Sequence, residues 1–502
     1  MKNTLMLYFR MFLIMGVTLY TSRIVLEALG EVDYGIYNVV AGVVVMMDVI
    51  NAALYGATIR FMTYVMDTGD EEIRKRTFSS IKFVHLIIGL ITILLGETIG
   101  LWFVMNKLTI PETSLMPAFW TYQCSLAVLF ISEISLPYSA LIMAYEKMSA
   151  FAYISILEVL LKLGIAFIIL YSPGNKLIIY SVLFLIIQIL IRLTYTHYCN
   201  QRFQESKQKI RYNKEDISQI SRFTSWTILG SMANMGSSQG INILLNIFFG
   251  PIVNTARGIA NQVHVACMKF CSNFQVAVKP QIIKSYSVGE LKRMHNLMLY
   301  SVKLCLFLTL IMVTPIYYFT EPILNIWLVD YPQETIVFVR IILIQQIFYS
   351  IGYPLISAIE ATGNIKKYQT ITSIATILSL PTAYLALKFY HISAEFTMLI
   401  YLIFTIITEI VRIMIVLPSI KLDISCYFRR IVLYSIIPLL IIIVGYNLLP
   451  KYDNMTFFHL AFLSIAIVLA TITILYIFGL DSKERTIANQ MVVNFLKKLQ
   501  KH

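Results

Sequence analysis

The chain has 502 residues, 58% of them hydrophobic and only 13% charged, with a formal net charge of +13 at pH 7. Soluble domains carry roughly 25% charged residues, and apolar runs long enough to cross a bilayer recur here from end to end, which excludes an ordinary soluble enzyme. The positive charge is not a nucleic-acid footprint, because Lys and Arg flank the apolar runs on alternate sides.

Fourteen spans are predicted, at roughly residues 6–27, 34–64, 79–104, 118–142, 150–172, 177–199, 222–249, 253–279, 297–320, 335–358, 369–389, 395–418, 431–449 and 457–479. The apolar stretch after Lys2 is too long for a signal-peptide core and is predicted to stay as the first span. An even count puts both termini on one side. That side holds Arg74, Lys75, Arg76, the basic run from Arg202 to Lys214, Lys366, Lys367, Arg429, Arg430 and the lysines of the tail. The opposite loops hold only Lys107, Lys176, Lys388 and Lys451. The asymmetry predicts a multi-pass membrane protein with both termini cytoplasmic. Trp102, Trp120, Trp226 and Trp327 fall near span ends, where an indole prefers the headgroup layer. Ile487, Met491, Phe495 and Leu499, with lysines between them, predict a tail helix lying on anionic lipids. No loop is long enough to form a separate catalytic domain.

The chain repeats itself weakly. A shift of 220 residues aligns Gly30 with Gly250, Ala57 with Ala277 and Gly69 with Gly289, and a shift of 217 aligns Pro137 with Pro354 and Ala144 with Ala361. Six spans separate the copies, so both run in the same orientation, as in transporters built from two parallel halves. The expected division is a first six-helix lobe over 1–210, a second over 211–425, and two further spans with the basic tail over 426–502.

Polar residues concentrate in the hairpin of spans seven and eight, broken at Phe248-Phe249-Gly250-Pro251. Ser231, Asn234, Ser238, Asn242 and Asn246 recur at helical spacing on one arm, and Asn254, Arg257, Asn261 and His264 on the other, followed by Lys269 and Lys279. Such groups at bilayer depth cost several kcal/mol unless they face protein or a water-filled cavity, so they predict a wet, cationic interior. Span two adds Asp48, Asn51, Tyr55 and Thr58 on one face, with Arg60 towards its end. Span one carries Arg23 and span four Glu133. Glu158 with Lys162, and Glu409 with Arg412, are spaced to pair within their own helices. The six cysteines read as small packing residues, and no P-loop, dinucleotide glycine pattern or metal-ligand spacing occurs. No cofactor is therefore expected.

Thr21-Ser22-Arg23-Ile24-Val25-Leu26, Leu29-Gly30 and Asp33-Tyr34-Gly35-Ile36-Tyr37-Asn38 resemble the first hairpin of bacterial polysaccharide repeat-unit flippases, in the multidrug/oligosaccharidyl-lipid/polysaccharide (MOP) export superfamily. Ala144-Tyr145-Glu146-Lys147-Met148, Phe249-Gly250-Pro251 with Asn254-Thr255-Ala256-Arg257-Gly258-Ile259-Ala260, and Lys279-Pro280 extend the resemblance over both halves. It implies an all-α membrane protein of about fourteen transmembrane helices, with two six-helix bundles in a V and two extra C-terminal helices. The implied substrate is an undecaprenyl-diphosphate-linked glycan of O-antigen, capsule or exopolysaccharide, moved by alternating access. Related peptidoglycan-precursor flippases meet the diphosphate with arginines on spans one, two and eight, where this chain has Arg23, Arg60 and Arg257. Asn234, Asn242, Asn261, His264 and Lys269 complete the expected cavity, and Asp48 and Glu133 are candidates for coupling to H⁺ or Na⁺. Glycan polymerase machinery is an expected partner. A cation-coupled multidrug exporter of the same superfamily is the alternative, and a membrane glycan polymerase or ligase a further one.

Overall fold

The computed structural model describes residues 2–48, 51, 54–55, 58–59, 61–62, 65, 70–145, 147–208, 210, 214–363, 365–448, 456–482, 484–486 and 489–490. Among these the protein is helical throughout, with no strand. Arg60 and the apolar positions of the tail helix, Ile487 to Leu499, lie outside the described residues.

The helices run α1 Lys2–Met47, α2 Glu71–Leu95, α3 Leu101–Lys107, α4 Leu115–Ala144, α5 Met148–Tyr171, α6 Lys176–Arg202, α7 Lys214–Phe249, α8 Pro251–Ser287, α9 Leu291–Tyr318 and α10 Thr320–Trp327. They continue with α11 Glu334–Thr362, α12 Lys366–Ile377, α13 Ser379–Tyr390, α14 Ala394–Ser419, α15 Ile424–Tyr427, α16 Leu433–Leu448 and α17 Phe457–Ile474. Eleven helical stretches among the described residues are long and apolar enough to cross a membrane. α7 and α8, with 36 and 37 residues, have the length but are not among those eleven, because their Asn, Ser and basic positions dilute the apolar run. The first two expected spans appear as one continuous element, α1, broken at Gly30, whose φ of 75° is non-helical. The break falls where the sequence repeat put it. Its counterpart Gly250, at φ 82°, ends α7, and Pro251 opens α8 with the ring-fixed φ that suits a first helical turn.

The chain forms two compact units. The first comprises residues 1–259, 327–335 and 376–398. Here the second half of α1 lies against the α7–α8 turn through glycines. A Cβ on Gly35 would sit 1.9 Å from the Pro251 carbonyl oxygen, and one on Gly42 would meet the Gln239 side chain at 2.8 Å. A Cβ on Gly258 would meet Asn38 at 2.7 Å. Thr255 Oγ1 also donates to the Glu31 carbonyl. A bilayer supplies no apolar driving force between helices, so close backbone approach and such hydrogen bonds hold the crossing. Trp327 donates its indole N–H to the Leu19 carbonyl at 2.8 Å, tying the 327–335 segment to α1.

The start of the basic loop also belongs to this unit. Lys82 on α2 donates to the carbonyls of Ser206 and Gln208, and the Phe203 ring stacks on Tyr145 at 4.2 Å. Tyr145 donates its hydroxyl to Glu205, and burial beside that carboxylate holds the phenol above its ordinary pKa.

The second unit comprises residues 260–326, 336–375 and 399–502. Its core gathers Ile282 of α8, Met294, Met298 and Val302 of α9, Leu355 and Ala358 of α11, Val416 and Leu417 of α14, and Tyr427 of α15. The expected pair on α14 is formed: Arg412 Nε donates to Glu409 Oε2 at 2.9 Å, both are buried, and Arg412 also donates to the Tyr368 hydroxyl. The end of α17 docks on α9, where Leu475 packs with Leu306, Phe307 and Leu310. Just beyond it, Glu484 accepts from the buried Lys303 of α9 at 2.6 Å, while Lys303 lies over the Tyr434 ring.

Candidate functional site

The α7–α8 turn builds its polar centre from three asparagines on facing helix ends. Asn254 Nδ2 donates to both the carbonyl and Oδ1 of Asn242, at 2.8 and 2.9 Å, and Asn246 Nδ2 donates to Asn254 Oδ1 at 3.0 Å. Asn246 Oδ1 in turn accepts the backbone N–H of Thr109. Buried amides require such satisfaction, and these hold the hairpin closed. Asn242 is thus part of a clamp, with its acceptors already engaged.

Arg257 lies one turn beyond Asn254 on α8 and is 6% exposed. Nη1 donates to the Met398 sulfur and Nη2 to the Ser238 carbonyl at 3.1 Å. Both of these acceptors are neutral, and the two bonds orient the planar guanidinium. Arg257, Asn234 and Asn242 belong to the first unit, whereas Asn261, His264 and Lys269 belong to the second. Asn234 and Asn261 are exposed, and His264 and Lys269 half-buried. The His264 ring lies 5.7 Å from that of Tyr349. Arg23 is half-buried on α1.

The two candidate coupling carboxylates have different surroundings. Asp48, just past the end of α1, accepts from Asn51 and lines a cavity of about 670 Å³ inside the first unit. Glu133 does not line it. That residue is fully buried on α4, with Oε1 accepting from Thr92 at 3.1 Å and Oε2 against Gly89. The Glu133 carbonyl meets His85 Nδ1 at 3.0 Å, and His85 Nε2 meets the Thr58 hydroxyl at 3.1 Å. A carbonyl only accepts, so Nδ1 carries a proton, and in the neutral ring Nε2 then accepts from Thr58. His85 and Thr92 were missed as partners of Glu133 because they sit more than forty residues upstream of it, with no local spacing to mark them. Glu158 also lines the cavity; it forms the expected pair with Lys162 at 2.7 Å, and Gln188 donates to the same carboxylate oxygen at 3.2 Å.

No family model and no curated protein matches the sequence. Solved structures do. Lipid II flippase MurJ in an inward closed conformation superposes with a TM-score of 0.69 at 15% identity, covering 94% of this chain and 98% of that one. A multidrug resistance MATE family transporter of the MOP superfamily, inward-facing, gives 0.62 at 14% identity over 82% of this chain and 94% of its own. A MOP superfamily transporter from Pyrococcus furiosus gives 0.57 at 14% identity over 84% and 96%. The chain is therefore an all-α, multi-pass membrane protein with the fold of the MOP-superfamily transporters.

Proposed function

We propose that the chain is a flippase that moves an undecaprenyl-diphosphate-linked oligosaccharide repeat unit across the bacterial inner membrane by alternating access between two six-helix lobes. The observation that carries this reading is the basic make-up of α8: Arg257, Lys269, Lys279 and Lys284, with His264, along 37 residues with no Asp or Glu among them, Lys279 being ion-paired with Glu360 of α11 at 2.5 Å. A diphosphate entering a low-dielectric interior needs cationic donors, and a guanidinium fork binds phosphate oxygens bidentately. Arg23 and Arg60 are the partners proposed for Arg257 in that task, with Asn234, Asn261, His264 and Lys269 meeting the sugars or the second phosphate. The lipid tail stays in the bilayer. Likeness to a lipid II flippase supports the same substrate class. Both termini are proposed to be cytoplasmic, next to anionic lipids and the glycan polymerase machinery.

Coupling to H⁺ or Na⁺ is assigned to Asp48 and Glu133, the two carboxylates set in polar networks of the first unit. The second reading, a cation-coupled multidrug exporter, is favoured by the MATE neighbours.

The deciding experiment places purified protein in vesicles with lipid-linked oligosaccharide extracted from the producing cell. Movement is read as protection of the glycan from an impermeant glycosidase. Arg257→Ala and Arg23→Ala are expected to slow movement about tenfold or more, a loss of ~1.4 kcal/mol or more of stabilisation. Unchanged rates in both would remove these arginines from the site. Drug extrusion by the same vesicles, with no glycan movement, would establish the exporter.

A further inference from the structure

The cavity in the first unit has a lining that the diphosphate reading does not use. On α4, Ser125, Ser132, Ser135 and Ser139 face it together. The spacing of seven, three and four residues is one helical face. Serines and threonines elsewhere in these helices bond back to the preceding turn, as Ser155 does to Phe151 and Thr21 to Val17. The hydroxyls of Ser125, Ser132 and Ser135 make no hydrogen bond within the protein among the described residues. They are left for a ligand. Asn51 lines the same cavity at 6% exposure, and its Oδ1 is a buried acceptor without a partner among the described residues.

Aromatic rings, Tyr37 of α1, Phe151 of α5, and Phe184 and Tyr195 of α6, share the rest of the wall with aliphatic side chains such as Val44, Val128 and Leu129. On α6 the lining runs from Ser181 to Tyr195, and on α4 from Cys124 to Ser139. At ~1.5 Å per residue each run is about 21–23 Å long, so the cavity is a tall slot. Its volume of about 670 Å³ falls within the ~300–1,000 Å³ of small-molecule sites.

Charge decides the ligand class. The ionisable acids in the lining are Asp48 and Glu158, and the cation beside them, Lys162, is already bound to Glu158 and lies 4.8 Å from the Phe184 ring. A diphosphate would meet two carboxylates. A polyprenyl chain would leave four serines, Asn51 and Gln188 against hydrocarbon, at the cost of desolvating each. An uncharged, hydroxyl-rich chain suits every part: hydroxyls pair with serines, amides and carboxylates, and the apolar faces of sugar rings lie on aromatic rings.

We infer that the slot between α1, α4, α5 and α6 is a carbohydrate subsite that takes the glycan portion of the transported molecule. It rests on the flippase reading for the source of the sugar, but not for the chemistry of the slot.

Ser132→Cys places a thiol in the slot, with Ser135→Cys as a second reporter should the first fail to fold. The unaltered protein, with its own six cysteines, gives the baseline. Labelling by a small methanethiosulfonate is followed by intact mass in nanodiscs. Four probes are added in turn: extracted lipid-linked oligosaccharide, the same glycan released and dephosphorylated, undecaprenyl diphosphate, and tetraphenylphosphonium. At about ten times its dissociation constant, a probe occupying the slot slows labelling about tenfold. Protection by both glycan probes and not by undecaprenyl diphosphate supports the subsite, and Gln188→Ala is expected to weaken it. Equal protection by undecaprenyl diphosphate overturns it in favour of the lipid moiety. Protection by tetraphenylphosphonium alone overturns it in favour of a cationic ligand, and protection by no probe overturns it outright. If released glycan protects the thiol while vesicles show no glycan movement, the flippase reading falls and the subsite stands. If glycan moves while no glycan probe protects the thiol, the subsite falls and the flippase reading stands.

Discussion

Asn254 reaches across the Gly250 turn and grips Asn242 at two atoms, its carbonyl and its side-chain oxygen, with one amide. Replacing Asn254 by Leu leaves both Asn242 acceptors and the Asn246 amide buried without that partner. An unsatisfied buried polar group costs about 1–3 kcal/mol. Asn254→Leu is therefore expected to lower the thermal midpoint in detergent by several degrees. A midpoint equal to the parent's would show that the amide network carries no stability.

Gly35 and Gly42 distinguish two kinds of crowding. A methyl on Gly35 meets a backbone oxygen that cannot turn aside, whereas a methyl on Gly42 meets the end of the flexible Gln239 side chain. Overpacking costs about 1–3 kcal/mol. Gly35→Ala is expected to reach the upper end of that range and Gly42→Ala the lower, read as melting shifts of the purified protein. The reverse order would contradict the glycine-mediated crossing.

Arg257 tests fork against charge. Lysine keeps the charge but cannot span Met398 and Ser238 with separate nitrogens of a planar group. Arg257→Lys is expected to retain the fold and lose about threefold in transport rate, between the parent and Arg257→Ala. Transport equal to the parent would reduce the residue to a point charge.

On α14, Arg412→Leu strands a buried Glu409. Breaking a buried pair by removing one partner costs about 3–5 kcal/mol, while replacing both by apolar residues is often near neutral. The double variant Glu409→Leu/Arg412→Leu is expected to melt closer to the parent than either single variant. Additive losses would argue that the pair has no coupling.

Much of this was legible in the sequence, for identifiable reasons. Gly30 and Gly250 announced the two helix breaks because positive φ favours glycine, and the spacing of Glu158 with Lys162 and Glu409 with Arg412 placed those pairs on single helix faces. Asparagines at helical spacing marked α7 and α8 as polar. Periodicity could not say whether a given asparagine faces a ligand or a neighbouring asparagine, since both demand the same face. The slot was hidden for a related reason. Serines at 125, 132, 135 and 139 are common in helices, and only the missing back-bonds of three of them, seen in three dimensions, separate ligand-facing hydroxyls from self-satisfied ones. The docking of the basic stretch after Arg202 was not legible, because nothing local signals that Lys82, more than 120 residues earlier, holds its carbonyls.

The ion pair between Lys303 and Glu484 has a consequence for biogenesis. The two residues are 181 positions apart, so at about 5–20 residues per second a ribosome emits the carboxylate some 10–40 s after the lysine. Throughout that interval α9 is in or near the membrane with a cation awaiting its counter-charge. Glu484 closes the pair only after the 181 positions that separate it from Lys303 have been made. Chains stopped at residue 480 should insert but be cleared by membrane proteases, and Lys303→Met should rescue their abundance.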